Sequence, residues 1–273
     1  MTTGIIIAAG RGSRMGPLSD DCPKCMFEIA GRPLLDWTVE RLRRAGCERI
    51  VVVRGYMGDR IDRDDVVFVE NPIYGETNIL HSLMHARDFV EGDVIVSYSD
   101  IWIEQDILSA LTADGAGQSG IRIAADVDWQ PYYDGRTEHP LNEAEKAFIA
   151  DNGEVQKIGK HLSLDAAGDL QCGEFLGLWA MDSAGSALFS ETFNRIDAAI
   201  GRDDPFQNAA HWRLAYITDI LQEIIDRGGV IKSIRVERGW AELDTQQDIE
   251  RLPDIAARQR LDSLVAALQE TGE

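Results

Sequence analysis

Short, continuously apolar runs alternate along the chain with stretches in which apolar residues return every three or four positions. Gly4 to Ala9 is such a run, ending at glycines, the pattern of a strand buried on both faces of a parallel sheet. Pro33 to Ala45 then carries Leu34, Leu35, Val39, Leu42 and Ala45 at helical spacing and stops at Gly46. Arg49 to Arg54 reads as the next strand, and Asp65 to Val69 as another before the turn at Asn71-Pro72. Ile79, Leu83, Ala86 and Val90 predict a helix behind Glu76-Thr77-Asn78, and Asp93 to Tyr98 returns as a strand. Two consecutive strand-helix-strand units predict an α/β fold with a mixed, mostly parallel sheet flanked by helices.

Beyond Asp100 the pattern loosens. Strand-like stretches at Ile121 to Val127 and Phe175 to Met181 flank a polar, aromatic-bearing insertion from Asp128 to Lys160. The whole segment, about residues 126–182, reads as a small substrate lobe inserted in one domain spanning residues 1–273. Ala215 to Arg227 reads as a helix, Val230 to Val236 as a strand, and residues 245–273 as one or two amphipathic helices.

Composition narrows the function. The 273 residues are 44% hydrophobic, enough for a large core without disulfides. Cys22, Cys25, Cys47 and Cys172 are too scattered for a secreted framework, and no charged segment with a long apolar run opens the sequence, so a cytoplasmic protein is expected. Forty-seven acidic against 27 basic residues give a net charge of −20, which argues against nucleic acid and anionic membranes as partners. A triphosphate remains compatible, because backbone amides, a few placed cations and Mg²⁺ make phosphate sites. The amphipathic tail leaves both a monomer and a homodimer open.

The loop after the first strand carries the chemistry. Ala8-Ala9-Gly10-Arg11-Gly12-Ser13-Arg14 lets the backbone approach a phosphate closely at the carboxyl edge of the sheet. A Rossmann fingerprint fails at Met15, and no Gly-Lys-Ser/Thr of a Walker loop follows. Instead Pro17 to Pro23 leads to Lys24, so Arg14 and Lys24 place two cations on one loop. This segment resembles the signature of the nucleotidyltransferases that activate sugar phosphates and small phospho-alcohols. The long spacing from Arg14 to Lys24 is similar to the sugar-phosphate and phosphocholine branches rather than the molybdopterin-type branch. The resemblance implies the nucleotide-diphospho-sugar transferase fold. It also implies that Ala8, Ala9, Gly10, Gly12 and Ser13 form the nucleotide loop, with Arg14 and Lys24 catalytic at the phosphates.

Asp100 follows the strand ending at Tyr98, and Asp244 lies in Trp240-Ala241-Glu242-Leu243-Asp244-Thr245. Carboxylates at strand ends suit Mg²⁺, and the resembled family uses the matching aspartates for its metal. Thr77-Asn78 with Asn71-Pro72 resembles the nucleotide segment of phosphocholine cytidylyltransferases, which points to CTP; the same pair also fits a helix cap.

For the acceptor, Asp126, Trp129, Tyr132 and Trp240 offer carboxylate and aromatic groups suited to a cationic amine, so phosphocholine and aminoethylphosphonate are candidates. The stretch Arg136 to Lys146 resembles cytidylyltransferases acting on phosphorylated amide or amino-acid-like groups, and Lys160 is a candidate for the acceptor phosphate, as is Lys157. The expectation is CMP transfer from CTP to a small anionic phospho-acceptor with loss of pyrophosphate. Three alternatives stay open: a sugar-1-phosphate nucleotidyltransferase using UTP or dTTP, a non-catalytic nucleotide-sensing subunit, and a glycosyltransferase, which would usually present two nearby aspartates at the metal strand. Cys22 with Cys25, and His81 with His85, have metal-like spacing but lack the further ligands a zinc site needs.

Overall fold

Strand β1 (Thr2–Ala8) is the centre of the molecule, because every residue from Thr3 to Ala8 is buried and both its neighbours run parallel to it. The computed structural model describes residues 1–113 and 120–271. After a small hairpin, β2 (Glu28–Ile29) and β3 (Arg32–Pro33), helix α1 (Leu34–Arg44) returns the chain to β4 (Cys47–Arg54) and β5 (Val67–Glu70). Helix α2 (Ile79–His85), β6 (Asp93–Tyr98), β7 (Ile101–Ile103) and α3 (Gln105–Thr112) follow. Next come β8 (Ile121–Asp126), β9 (Glu145–Ile149), β10 (Val155–Lys160) and β11 (Gln171–Met181), with α4 (Ser183–Ala199) behind them. Helix α5 (Ile217–Asp226), β12 (Ile231–Val236), β13 (Trp240–Glu242), α6 (Gln246–Ile255) and α7 (Asp262–Thr271) complete the described chain; the last two residues of the expected 245–273 helical segment lie outside it.

One sheet of nine strands runs β10-β9-β11-β6-β1-β4-β5, with β8 and β12 added along the other edge of β11. Alternation along the central strands divides the apolar residues between two cores. Ile6 and Ala8 face α1, α3, α6 and α7, whereas Ile5 and Ile7 face α2, α4 and α5. The segment read as an inserted lobe is thus built into the sheet: β9, β10 and β11 join the main ladder, and Ala147, Ile149 and Ile158 pack in the second core.

β11 changes partner along one edge. Gln171 to Glu174 pair with β9, and Leu178 to Met181 pair with β6, so β9 and β6 lie end to end against the same strand. Phe175, Leu176 and Gly177 face the break. Gly177 has φ of 69°, and a Cβ there would lie 2.3 Å from the Tyr98 ring, so only glycine lets that ring close over the strand.

Two expected elements differ in extent. The helix read through Val90 ends at His85 and continues as a 3₁₀ turn over Arg87–Phe89, because the Arg87 Nε donates to the Met84 carbonyl, and Ala86 and Phe89 bond three residues back. Helix α4, unassigned from sequence, is capped by Asp182, whose carboxylate accepts from the amides of Ala184 and Gly185 at 2.9 Å. No described helix is long and apolar enough to cross a membrane.

Candidate active site

The loop after β1 turns sharply at Gly12, whose φ of 64° is left-handed and whose missing Cβ leaves room for the Lys24 stem, 3.1 Å away. A 3₁₀ stretch, Ser13–Asp20, follows; Met15 anchors it in the core and the Tyr56 hydroxyl donates to the Ser19 carbonyl at 2.9 Å. Both ends of the loop therefore lead cations to the carboxyl edge of the sheet.

There the Lys24 Nζ donates to Asp100 Oδ2 at 2.7 Å and to Asp244 Oδ1 at 2.5 Å. The other oxygen of Asp244 takes the Arg14 guanidinium at 2.7 Å and lies 2.5 Å from His139 Nδ1. Burial would pull the Lys24 pKa down, but Asp100, Asp244 and Glu242 outweigh it and raise it. Burial of Asp244 is likewise outweighed, by Lys24, the His139 hydrogen bond and Arg14, and its carboxyl is held well below the usual carboxylate range.

Asp244 owes its position to the helix behind it. Thr245 caps α6 in a reciprocal box with Asp248, and Asp248 Oδ2 also accepts from the Asp244 amide at 3.0 Å. Arg136, with a fully buried side chain, clamps Asp248 at 2.7 and 2.9 Å and Glu242 at 2.8 Å. Glu242, two residues before Asp244, and Asp248, the capping-box partner of Thr245 after it, are thus tied to one guanidinium.

Two hard carboxylate oxygens, one from each strand end, already converge on a single cation, the Lys24 ammonium; this donor set is of the type that takes a small divalent ion. His139, Glu242 and Asp244 also gather potential ligand atoms within 4.8 Å of one another.

A cleft of about 280 Å³ runs along the loop, walled by Gly10, Gly12, Ser13, Arg14 and Lys24 on one side and by Thr77, Asn78, Asp100 and Asp244 on the other. A second cavity, about 170 Å³, opens in the break between β6 and β9. The two share Arg14, Asn78, Ile79, Tyr98 and Asp100.

Of the expected nucleotide residues, Ala8 and Ala9 lie buried beneath the cleft rather than in its wall. Asn78 lines it while capping α2 at 2.9 Å and donating to the Leu214 carbonyl at 3.0 Å; Thr77 lines it while donating to the Ile73 carbonyl.

Of the expected acceptor residues, Lys160 and Trp240 border the second cavity, Lys157 is exposed on β10 outside it, and four others are placed elsewhere. Asp126 is fully buried, accepting from the Trp240 indole at 2.7 Å and the Asp128 amide at 2.8 Å. Trp129 packs on Tyr133, Tyr132 both donates to and accepts from the Glu242 backbone at 2.9 Å, and Arg136 holds Asp248. These four pack behind the site and spend most of their polar groups within the protein, although the Arg136 Nη1 has no hydrogen-bond partner.

Sequence reasoning did not single out six residues that line the second cavity: Tyr98, Tyr133, His139, Glu145, Glu174 and Tyr216. His139 and Glu145 stand in the Arg136–Lys146 stretch that suggested an acceptor, and the break that gathers all six follows from strand pairing. The decoys resolve as packing: the His81 Nε2 meets the Trp212 carbonyl at 2.9 Å between Phe193 and Trp212, and Cys22 and Cys25 are free thiols.

Comparison with known proteins agrees with this geometry. The MobA-like NTP transferase domain matches residues 4–163. A CTP:phosphoglutamine cytidylyltransferase of Campylobacter jejuni is 30% identical over 258 residues, covering 90% of this chain and 97% of its own. A 2-aminoethylphosphonate cytidylyltransferase of Lancefieldella rimae is 36% identical over 38% of this chain and 45% of its own. Among solved structures, the phosphocholine cytidylyltransferase of Streptococcus pneumoniae shares the fold with a TM-score of 0.68 at 18% identity, covering 93% of this chain and 98% of that one. The two-cation loop, the paired aspartates and these matches together place the chain in the MobA-like NTP transferase family, as a nucleotidyltransferase.

Proposed function

We propose that this enzyme transfers CMP from CTP to a small phosphorylated or phosphonate acceptor, releasing pyrophosphate, with Mg²⁺ as its metal. The observation that carries the reading is the meeting of two cavities at Arg14, Tyr98 and Asp100, which suits a donor nucleotide on one side and an acceptor on the other. The base assignment follows the cytidylyltransferases among the relatives.

An oxygen of the acceptor phosphate attacks the α-phosphorus in line, and the bond to the β-phosphate oxygen breaks. No side chain need remove a proton, since a phosphate monoester with a second pKa near 6 is largely dianionic at neutral pH. The work of the chain is alignment and charge. Gly10, Gly12 and Ser13 present the loop backbone to the triphosphate, and Arg14, between the cavities, offsets charge on the reacting phosphate. Lys24 is kept protonated by its carboxylates and supplies a second cation. Asp100 and Asp244 would hold Mg²⁺, which neutralises phosphate oxygens when bound; their convergence on one cation and the general use of a divalent metal in the family support this assignment.

Pyrophosphate release, measured for each nucleoside triphosphate against phosphorylated amino-acid amides, aminoethylphosphonate, phosphocholine and glucose-1-phosphate, tests the reading. Turnover with CTP and a small phospho-acceptor, dependent on Mg²⁺ and reduced at least ~10²-fold in a folded Lys24→Ala variant, is the expected result. Turnover confined to glucose-1-phosphate, or undiminished in Lys24→Ala, would refute it.

A further inference from the structure

The charges around the second cavity can be matched off against one another. Arg14 is held by Asp244, Lys160 by Glu143 at 3.1 Å, Asp100 by Lys24, and Glu242 by Arg136. Two carboxyl groups lack a partner of that kind, although Lys146 stands opposite Glu174 across the β9–β11 pairing. Glu145 takes hydroxyls from Tyr98 at 3.1 Å and Thr218 at 3.2 Å, and the Lys160 charge near it is shared with Glu143. Glu174 receives the Tyr133 hydroxyl on one oxygen, and its other oxygen is buried without a hydrogen-bond partner. Neither makes an ion pair among the described residues. An acidic pair in a small cavity with an unfilled acceptor is an incomplete site, since buried polar groups are ordinarily satisfied.

We propose that the end of the cavity lined by Glu145 and Glu174, in the break between β6 and β9, receives a primary ammonium group carried by the acceptor. The proposal rests on the transferase reading only in taking this cavity as the acceptor site. An ammonium brings both positive charge and N–H donors, which suit an unfilled buried oxygen and a carboxylate alike. A sugar brings donors without charge. A quaternary ammonium brings charge without donors, and it needs open ring faces. Here those faces are taken: Gly177 packs against the face of Tyr98, the Lys160 ammonium lies 5.2 Å from the centre of the Tyr216 ring, and the Arg136 guanidinium lies 5.2 Å from that of Tyr133. Tyr98 and Tyr133 present their hydroxyls to Glu145 and Glu174 instead, which is a setting for N–H donors.

Titration calorimetry with 2-aminoethylphosphonate, its N-trimethyl form and ethylphosphonate tests the proposal on the whole protein, alongside pyrophosphate release with CTP and Mg²⁺. The amine is expected to bind at least ten-fold more tightly than either control, and Glu145→Gln to erase that preference while CTP binding is retained. Equal or tighter binding of the trimethyl form, an unchanged preference in Glu145→Gln, or no binding of any of the three would overturn it. The ligand series on the unaltered protein decides the matter even if the variant does not fold. Should the amine fail but pyrophosphate release persist with another phospho-acceptor, the transferase reading survives alone; should the amine bind selectively without pyrophosphate release from any acceptor, the amine site survives and the transferase reading falls.

Discussion

Glu145 illustrates how one side chain records the cost of an active site. Burial in the cavity wall, only partly offset by Lys160 and the Tyr98 hydrogen bond, pushes its pKa up to about 7 from 4.5. The folded protein then holds a proton that the unfolded chain releases, so this residue lowers stability progressively as pH rises from 4.5 toward 7 and by a constant amount above that. Glu145→Gln is expected to match the unaltered protein in denaturant titrations near pH 4.5 and to exceed it at pH 8 by on the order of 1–3 kcal/mol. The opposite trend would mean that the carboxylate is paired in the folded state. The same residue shows why the wall of the second cavity was only partly legible in sequence: Glu145 falls in the Arg136–Lys146 stretch, but it meets Tyr98 and Thr218, far from it along the chain, and no spacing rule links the three. Arg14, Lys24 and Asp100, by contrast, stand in or directly after a strand-loop motif and could be singled out by position.

At the scale of elements, the capping box of α6 positions Asp244 as well as starting the helix. Thr245 and Asp248 close the first turn, and the same carboxylate fixes the Asp244 amide and pairs with Arg136. Thr245→Ala should cost about 1 kcal/mol of stability, as an ordinary cap does. Arg136→Met should cost roughly 3–5 kcal/mol, because it strands Asp248 and Glu242 in the interior. Both are measurable by chemical denaturation, and in each the turnover lost should exceed what the fraction unfolded explains, since Asp244 is freed to move. A loss in Arg136→Met below about 1 kcal/mol would show that the clamp contributes little. The amphipathic period announced α1, α5 and α6, and apolar runs announced β1, β4 and β6, because each buries a continuous face in the main cores. The partner change of β11 was hidden, because it depends on register between strands with no mark in the composition of any one of them.

For the whole molecule, a charge of −20 surrounds a site that must admit two anions. Repulsion at distances beyond the local cations slows the approach of anionic substrates, and salt screens it over a Debye length of ~8–10 Å near physiological ionic strength. Raising the salt from about 10 to about 150 mM is therefore expected to increase kcat/KM for the anionic acceptor by a few-fold at fixed free Mg²⁺, measured by steady-state pyrophosphate release. A steep fall instead would mean that Arg14 and Lys24 dominate the field felt by an incoming substrate.

On the proposed reading of the second cavity as the acceptor site, the end-to-end arrangement of β9 and β6 makes it a ruler. Its length is the run of β11 left uncovered from Phe175 to Gly177, about 10 Å at ~3.3 Å per residue. Lengthening or trimming β9 at Glu145 would slide one wall along that scale while β6, Asp100 and the nucleotide loop stay in place. A sheet built this way can exchange short acceptors for long ones by indels at a single strand end, leaving the phosphoryl chemistry untouched.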